Sequence, residues 1–202
     1  MLDTQVRRLI NPALDRLGLA LVSSGLGANS VTVLGFLLGA AGCVAIAFQC
    51  YGAALTLLIL NRLADGVDGA IARRQGATDV GGYLDIVLDL IFYSGVPFAF
   101  AVSRAELRLP AAFLIYSFIG TGGSFLAYAA IAAKRGLTTD GPRKKTIFYS
   151  TGLIEGTETV VFFVLCCLLP DQFAILAWSF GSLCWATTAG RIVAGILVFR
   201  DP

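Results

Sequence analysis

The sequence contains no histidine and few charged residues: only 14% of its 202 residues are Asp, Glu, Lys or Arg, whereas 57% are hydrophobic. A soluble domain of this length would need a larger polar surface, so the composition indicates an integral membrane protein. The lack of histidine removes the most common general base and leaves proton transfer to carboxylates, lysine, tyrosine or cysteine. The net charge of +2 gives no bulk attraction to nucleic acid, so nucleic acid is not expected as a partner.

The cysteines lack the pattern of a metal or disulfide framework. Their number is odd, none has the CxxC spacing of a zinc site, and all fall within apolar stretches. We interpret them as small packing residues rather than metal ligands or disulfide partners. They are Cys43, Cys50, Cys166, Cys167 and Cys184.

Long apolar runs account for most of the chain. A membrane-spanning helix needs about 20 mostly apolar residues, and the runs are too long, and alternate too little, for barrel strands. The predicted fold is all-α integral membrane, with a bundle of six transmembrane helices in residues 30–199. No repeat or long linker divides the chain, so residues 1–202 are expected to form a single domain. The predicted spans are Ser30–Cys50, Ala53–Ala72, Gly82–Val102, Leu109–Ala133, Ile147–Leu169 and Gln172–Phe199.

The segment before the first span, residues 1–25, is amphipathic. Its apolar residues recur at helical spacing with charged residues between them. This pattern predicts an N-terminal juxtamembrane helix that lies in the membrane interface. The apolar positions are Leu2, Val6, Leu9, Ile10, Ala13, Leu14 and Leu17.

Basic residues are distributed unevenly between the two sides of the predicted bundle. They precede the first span, follow the second and the sixth, and are densest between the fourth and the fifth. By the positive-inside rule, both termini and these two loops are cytoplasmic. We expect a multi-pass protein of a bacterial inner (cytoplasmic) membrane, with the aspartates of the second and third spans near its cytoplasmic side.

Four aspartates interrupt the apolar pattern of the second and third spans. Asp65 and Asp68 are three positions apart and therefore share one face of a helix. Asp85 and Asp89, four positions apart, do the same on the next helix. The connection between the helices is short, so they are expected as antiparallel neighbours whose carboxylates converge. Oxygen ligands without His or Cys suit a hard cation, so the pattern predicts a Mg²⁺ or Mn²⁺ site.

The charge of these aspartates needs compensation inside a membrane. One charged residue at mid-membrane costs about 2.5–3.5 kcal/mol, so four deep and unpaired carboxylates would cost roughly 10 kcal/mol. Arg62 and Arg73 are expected near the ends of the second span, which offers no other basic residue. This favours a bound divalent cation over buried ion pairs.

The same stretch resembles the signature of the CDP-alcohol phosphotransferases, also called CDP-alcohol phosphatidyltransferases. The fixed positions of that signature are Asp65, Asp68, Gly69, Ala72, Arg73, Gly81, Asp85 and Asp89. Seven residues, where the family has eight, separate Arg73 from Gly81. Choosing Gly82 would restore eight but break the interval to Asp85. A loop loses a residue more readily than a helix changes register, so we assign Gly81.

The start of the first span also resembles the family. Asn29 and Thr32 in "ANSVTVLGF" match its Asn-x-x-Thr pattern, with Ala28 where proline is frequent. The resemblance places both residues near a nucleotide. The alternative interpretation is that one caps the helix and the other packs.

The resemblance implies a transferase of phospholipid biosynthesis. It would move a phosphatidyl (substituted phosphoryl) group from a CDP-linked lipid, such as CDP-diacylglycerol, to an alcohol acceptor and release CMP. Two ions held by the four aspartates would bind the diphosphate, and Asp89 would also take the acceptor's proton. The nucleotide would be accommodated by Gly69, Ala72, Arg73 and Gly81, with Arg73 at a phosphate. A homodimer is also expected from the family.

The acceptor stays open at this stage. Glu155 and Glu158, three positions apart in the fifth span, would suit a cationic head group or pair with Arg191 of the sixth. A phosphorylated acceptor would instead need a basic pocket. The candidate acceptor residues are Arg143, Lys144, Lys145, Glu155, Glu158 and Arg191.

Two other classes of protein compete with the transferase. An ion or proton transporter would explain carboxylates within the membrane, but not the glycine, alanine and arginine at fixed positions, and the chain lacks an inverted repeat. A catalytically silent scaffold gives no reason to keep all four acids.

Overall fold

The structure is a computed structural model that describes Leu14, Gly18, residues 26–137, Ile154 and residues 156–200. Every regular element within these ranges is helical. The helices are α1 (Ala28–Ala47), α2 (Tyr51–Gln75), α3 (Asp79–Ser103), α4 (Arg108–Lys134), α5 (Gly156–Leu168) and α6 (Phe173–Phe199). Short 3₁₀ turns, Ala105–Leu107 and Pro170–Gln172, lead into α4 and α6. The all-α prediction is confirmed for the described residues.

The six predicted spans coincide with the six helices, and their ends differ by at most three residues wherever both ends are described. Four of them, allowing for the 3₁₀ turns before α4 and α6, are long and apolar enough to cross a membrane. The helix α2 does not qualify, because each of its 18-residue windows contains Arg62, Asp65 and Asp68. The described part of α5 has 13 residues. An all-helical membrane protein is therefore supported, and six crossings stay a prediction.

Close approach of α1 to its neighbours depends on glycine. A Cβ atom added at Gly35 would lie 2.9 Å from the Cβ of Ala64 on α2, and one added at Gly39 would lie 2.7 Å from the ring of Phe92 on α3. Both distances are below normal carbon contact, so α1 can pack at this depth only without side chains there. Gly35 and Gly39 therefore belong to a helix-packing face of α1.

Aromatic packing forms the core at the end of the bundle away from the α2–α3 connection. The rings of Phe100 and Phe173 stack with centroids 4.1 Å apart, and Tyr51 stacks on Phe100 at 5.9 Å. At the same end, Nη1 of Arg104 donates to Oδ1 of Asp171 at 2.7 Å and joins the connections that follow α3 and α5. This arrangement fixes one end of the bundle and leaves the polar residues at the other.

Large apolar side chains also cover much of the outer surface. Leu37, Phe98, Leu109 and Ile196 are each more than half exposed. Water would solvate such a surface poorly, whereas lipid chains solvate it well. The outward faces of α1, α3, α4 and α6 therefore fit an integral membrane protein.

The predicted N-terminal helix lies mostly outside the described residues. Leu14 and Gly18, which are described, both have helical backbone. Leu14 is buried in a small cluster with Val31, Val67 and Ile71, and a Cβ at Gly18 would lie 3.3 Å from the Cβ of Ala70. Part of this segment thus contacts α1 and α2, while the amphipathic interfacial helix as a whole stays a prediction.

Candidate active site

The candidate site lies between α2 and α3, next to the connection that joins them. Gly76 ends α2 with a φ of +95°, a backbone conformation that glycine adopts without strain. Thr78 then begins α3, and its hydroxyl accepts a hydrogen bond from the backbone N–H of Gly81 at 3.1 Å. The reversal therefore takes only residues 76–78 and brings the acidic faces of both helices to one level.

The helix α1, rather than direct contact between α2 and α3, sets the width of the site. It packs extensively against both helices, whereas α2 and α3 make few backbone contacts with each other. The helices α2 and α3 are consecutive in the sequence, as expected. The prediction that they are neighbours was incomplete, because α1 packs against both of them while they make few contacts with each other. The acids consequently face each other across a gap. The residues that line this pocket are Thr32, Gly35, Phe36, Asn61, Arg62, Asp65, Asp68, Asp85, Leu88, Asp89 and Phe92.

Three of the predicted carboxylates converge closely. One oxygen from each of Asp65, Asp68 and Asp85 lies within 4.8 Å of the other two. Asp68 is buried, with 6% of its surface exposed, and its Oδ2 atom has no hydrogen-bond partner in the part of the chain that the structure describes. A buried carboxylate oxygen without a partner is costly, and a hard divalent cation would satisfy it. These residues fit the Mg²⁺ or Mn²⁺ predicted from the sequence.

Asp89 lines the same pocket but has a different environment. Its Oδ1 atom accepts a hydrogen bond from Nη2 of Arg62 at 2.8 Å, and Nη1 of Arg62 lies 3.7 Å from Oδ2 of Asp65. The placement of Arg62 near the end of the second span was wrong. It lies near the middle of α2, one helical turn before Asp65, and turns toward the acids. One positive charge therefore compensates part of the acidic group from within the protein.

Other residues of α2 and α3 hold the arginine in place. The Nε atom of Arg62 donates to Oδ1 of Asn61 at 2.8 Å, and Nη1 donates to the hydroxyl of Tyr93 at 3.2 Å. The guanidinium also lies over the ring of Phe92, 4.7 Å from its centroid. Asn61, Arg62 and Tyr93 were not predicted as site residues. The signal was the spacing of three between Arg62 and Asp65, which places both on one helix face.

The residues predicted for nucleotide binding lie toward the connection between α2 and α3. A Cβ at Gly69 would be 3.3 Å from Nη1 of Arg73, so the guanidinium lies over this glycine. A Cβ at Gly81 would be 2.9 Å from Oδ1 of Asn29. Ala72 follows one turn after Gly69 on α2, toward the same end. Their binding role stays a prediction.

Asn29 and Thr32 belong to the first two turns of α1. The cap residue of α1 is Gly27, which makes no side-chain capping bond, so the helix-cap alternative for Asn29 is wrong. Thr32 lines the acidic pocket, and its hydroxyl donates to the carbonyl of Ala28 at 3.0 Å. The start of α1 therefore faces the site.

Gly81 and Gly82 differ sharply in surroundings, which supports the assignment of Gly81. A Cβ at Gly82 would meet nothing within 4 Å, whereas one at Gly81 would meet both Asn29 and the Thr78 hydroxyl, the latter at 3.1 Å. We therefore expect Gly81→Ala to displace Asn29 and to reduce the CMP release that the signature predicts about tenfold or more, because small misplacements in a site are costly. Initial rates of CMP release measure this.

The adjacent Gly82→Ala variant is the matched control for that prediction. It adds the same methyl group to the same helix, and replacement of a helical glycine stabilises by about 0.5–1 kcal/mol. Its activity is expected to equal that of the wild type. Equal rates for both variants would show that Gly81 has no special steric role.

The predicted acceptor residues are only partly described. Arg143, Lys144, Lys145 and Glu155 lie outside the described residues. Glu158 is half-buried in α5. Nη1 of Arg191 donates to the carbonyl of Thr121 at 3.0 Å, so this arginine joins α6 to α4. The acceptor assignment stays a prediction.

The described helices have an apolar exterior and enclose a carboxylate pocket, which defines the class: a helical membrane protein with a pocket whose acids suit a hard divalent cation. The chain belongs to the CDP-alcohol phosphatidyltransferase family, whose family model matches residues 26–190. It is therefore a transferase of phospholipid synthesis, as the signature of residues 65–89 predicted.

Two curated proteins show the range of the relationship. Inner membrane protein YnjF of Escherichia coli K12 is 45% identical over 202 residues, which cover 100% of this chain and 98% of that protein. Archaetidylinositol phosphate synthase of Pyrococcus horikoshii is 29% identical over 100 residues. That match covers 49% of this chain and 53% of the archaeal protein, about half of each.

Solved structures share the fold. Phosphatidylinositol phosphate synthase (PgsA1) of Mycobacterium tuberculosis with CDP-DAG bound has a TM-score of 0.67 and 20% identity, over 91% of this chain and 93% of that one. The same enzyme in complex with manganese and citrate has a TM-score of 0.66 and 21% identity, over 90% and 88%. At this identity the likeness establishes the fold alone.

Proposed function

We propose that this protein transfers a phosphatidyl group from a CDP-linked lipid, such as CDP-diacylglycerol, to an alcohol acceptor and releases CMP. The observation that carries the proposal is the convergence of Asp65, Asp68 and Asp85 in a pocket where Asp68 has a buried oxygen without a partner. Family membership supports the reaction class. The M. tuberculosis enzyme of the same fold binds CDP-DAG, which supports a CDP-linked lipid as the donor.

The proposal includes a divalent cation, Mg²⁺ or Mn²⁺, held by the carboxylates. Asp65, Asp68 and Asp85 would hold one ion, and Asp89 would complete the set for a second. Such ions would neutralise the negative charge that develops on the diphosphate and on the departing CMP. The structure with manganese in the M. tuberculosis enzyme supports this assignment.

The remaining steps belong to the protein's own side chains. Arg73 would bind a phosphate oxygen of the donor, with Gly69, Ala72 and Gly81 leaving room for the nucleotide. Asn29 and Thr32 at the start of α1 would line the nucleotide side. Asp89 would accept the proton of the alcohol acceptor, because the chain has no histidine to do so.

The setting follows from the same reasoning. The apolar exterior would keep the acyl chains of the donor in the bilayer, while its polar head reaches the gap between α2 and α3. We propose that this gap opens to the cytoplasm of a bacterial inner membrane, as the positive-inside rule predicts. The relative named as an inner membrane protein supports that location. A homodimer and six crossings belong to the same proposal.

The acceptor is proposed as an alcohol that carries a phosphate. The names of two relatives, one by sequence and one by fold, contain an inositol phosphate product. The acceptor residues would include Arg143, Lys144, Lys145 and Arg191. Glu155 and Glu158 would instead favour a cationic or uncharged acceptor.

The transporter alternative is not favoured by family membership.

One experiment tests the reaction and the acceptor together. Purified protein in lipid nanodiscs is incubated with CDP-diacylglycerol, Mg²⁺ or Mn²⁺, and a panel of acceptors: inositol phosphate, glycerol phosphate, inositol, glycerol, serine and ethanolamine. CMP release and the lipid products are measured by mass spectrometry. We expect CMP release that requires both a divalent cation and an acceptor. Ion flux in proteoliposomes without any CMP release would contradict the proposal and favour a transporter.

A further inference from the structure

The side chain of Arg62 links the two acidic helices, α2 and α3. Its Nη2 atom donates to Oδ1 of Asp89 on α3 at 2.8 Å, while its Nη1 atom lies 3.7 Å from Oδ2 of Asp65 on its own helix. The side chain is largely buried, with 15% exposed. Because α2 and α3 otherwise make few backbone contacts with each other, this ion pair spans the gap in which the reaction is proposed to occur.

The guanidinium is fixed on several sides. Nε donates to Oδ1 of Asn61 at 2.8 Å, and Asn61 is itself held because its Nδ2 donates to the backbone carbonyl of Gly35 at 2.8 Å. Nη1 donates to the hydroxyl of Tyr93 at 3.2 Å, and the ring of Phe92 lies under the guanidinium plane. All three nitrogens therefore have an acceptor, which leaves the arginine little freedom to leave Asp89.

We propose that Arg62 is a positioning residue that fixes the Asp89 carboxylate within the pocket and keeps it separate from the three-carboxylate group of Asp65, Asp68 and Asp85. The inference rests on the proposed function and narrows it: of the two roles proposed there for Asp89, ligand of a second ion and proton acceptor, it keeps only that of proton acceptor. A carboxylate held by a charged hydrogen bond is oriented for the acceptor alcohol.

The charges in the pocket support that division. Among the described residues, only Asp65, Asp68 and Asp85 bring ligand atoms within 4.8 Å of one another, and Asp89 is not part of that group. Arg62 is permanently charged and repels a divalent cation from the side of Asp89. The cation is thus favoured at the three-carboxylate group, and Asp89 stays available to accept a proton.

The test compares turnover with metal binding in Arg62→Gln. Mn²⁺ binding is measured without substrate, from the EPR signal of free Mn²⁺, on protein in nanodiscs. Because a positive charge is removed beside the carboxylates, we expect Mn²⁺ to bind at least about threefold more tightly. The kcat for CMP release is expected to fall about 10–100-fold, the range typical of lost supporting hydrogen bonds, with the KM for CDP-diacylglycerol little changed. Tighter metal binding with slower turnover is a combination that general loss of structure does not produce.

Arg62→Lys tests the positioning role even if Arg62→Gln fails to fold. Lysine keeps the charge, but its single ammonium cannot reproduce the contacts with Asp89, Asn61 and Tyr93. We expect wild-type Mn²⁺ affinity and a kcat about tenfold lower, a partial loss within the range for supporting hydrogen bonds. Full turnover in Arg62→Lys would refute positioning.

Arg104→Gln is the matched control, since it removes an arginine that pairs with Asp171 at 2.7 Å at the opposite end of the bundle. Both its kcat and its Mn²⁺ affinity are expected to equal those of the wild type.

Weaker or unchanged Mn²⁺ binding in Arg62→Gln would overturn the proposal. Failure of the proposed function is a separate result, because wild-type protein would then release no CMP with any acceptor while the Mn²⁺ measurements still report on Arg62.

Discussion

Replacing Asp68 by asparagine is expected to abolish CMP release while leaving the protein folded. Asp68 is the most buried of the four aspartates and carries the oxygen without a partner. Asparagine has nearly the same shape but lacks the charge that a divalent cation requires. Loss of several kcal/mol of charge stabilisation corresponds to a rate at least about a hundredfold lower. Initial rates with CDP-diacylglycerol and a saturating acceptor measure the effect.

The stability of the same variant should change in the opposite direction. A buried carboxylate destabilises the protein in the absence of metal, so its neutral analogue is expected to melt at the same or a higher temperature in metal-free buffer. Added Mn²⁺ should raise the melting temperature of the wild type but not of Asp68→Asn, because only the former binds it.

Asp79→Asn is the matched control for Asp68→Asn. Asp79 is the exposed first residue of α3 and lies outside the residues that line the pocket. Normal rates and normal Mn²⁺ stabilisation are expected for it. Substantial activity in Asp68→Asn would remove the basis for a metal site at these carboxylates.

Local sequence patterns predicted most of the helices because the membrane setting makes those patterns simple. Long apolar runs must satisfy their backbone hydrogen bonds internally, so their lengths convert directly into helix lengths. The convergence of Asp65 and Asp68 with Asp85 was likewise predictable. Spacings of three and four place the acids of each helix on one face, and a short loop places the two acidic faces at the same height along the antiparallel helices. The conflict between apolar composition and charge pointed to the site.

What the sequence did not predict depends on packing across elements. The position of α1 between α2 and α3 follows from glycines at Gly35 and Gly39, and a GxxxG face does not say which helix it contacts. Arg62 was predicted to lie near a helix end and not to neutralise the aspartates, because its contact with Asp89 depends on how far apart α2 and α3 lie. Most of the residues predicted to bind the acceptor lie in the stretch between α4 and α5, for which spacing along one helix gives no constraint.

Asp89→Asn is expected to give a different pattern from Asp68→Asn, although both replace an aspartate of one signature. The proposed base is lost, so CMP release should fall about 10²–10⁴-fold, the range of general-base contributions. Mn²⁺ binding should persist, because Asp65, Asp68 and Asp85 remain. Single-turnover rates together with Mn²⁺ titration distinguish the two variants. Loss of Mn²⁺ binding in Asp89→Asn would instead make Asp89 a ligand.

The stability of Asp89→Asn provides an independent check, because the variant leaves Arg62 without its closest carboxylate. Removing one partner of a largely buried ion pair is destabilising, so the melting temperature should fall. In the double variant Arg62→Gln/Asp89→Asn both charges are gone, and the melting temperature should recover part of that loss. This non-additivity measures the coupling between the two residues. Additive losses would mean that the contact between Arg62 and Asp89 contributes nothing to the fold, and that Arg62 does not hold Asp89 in place.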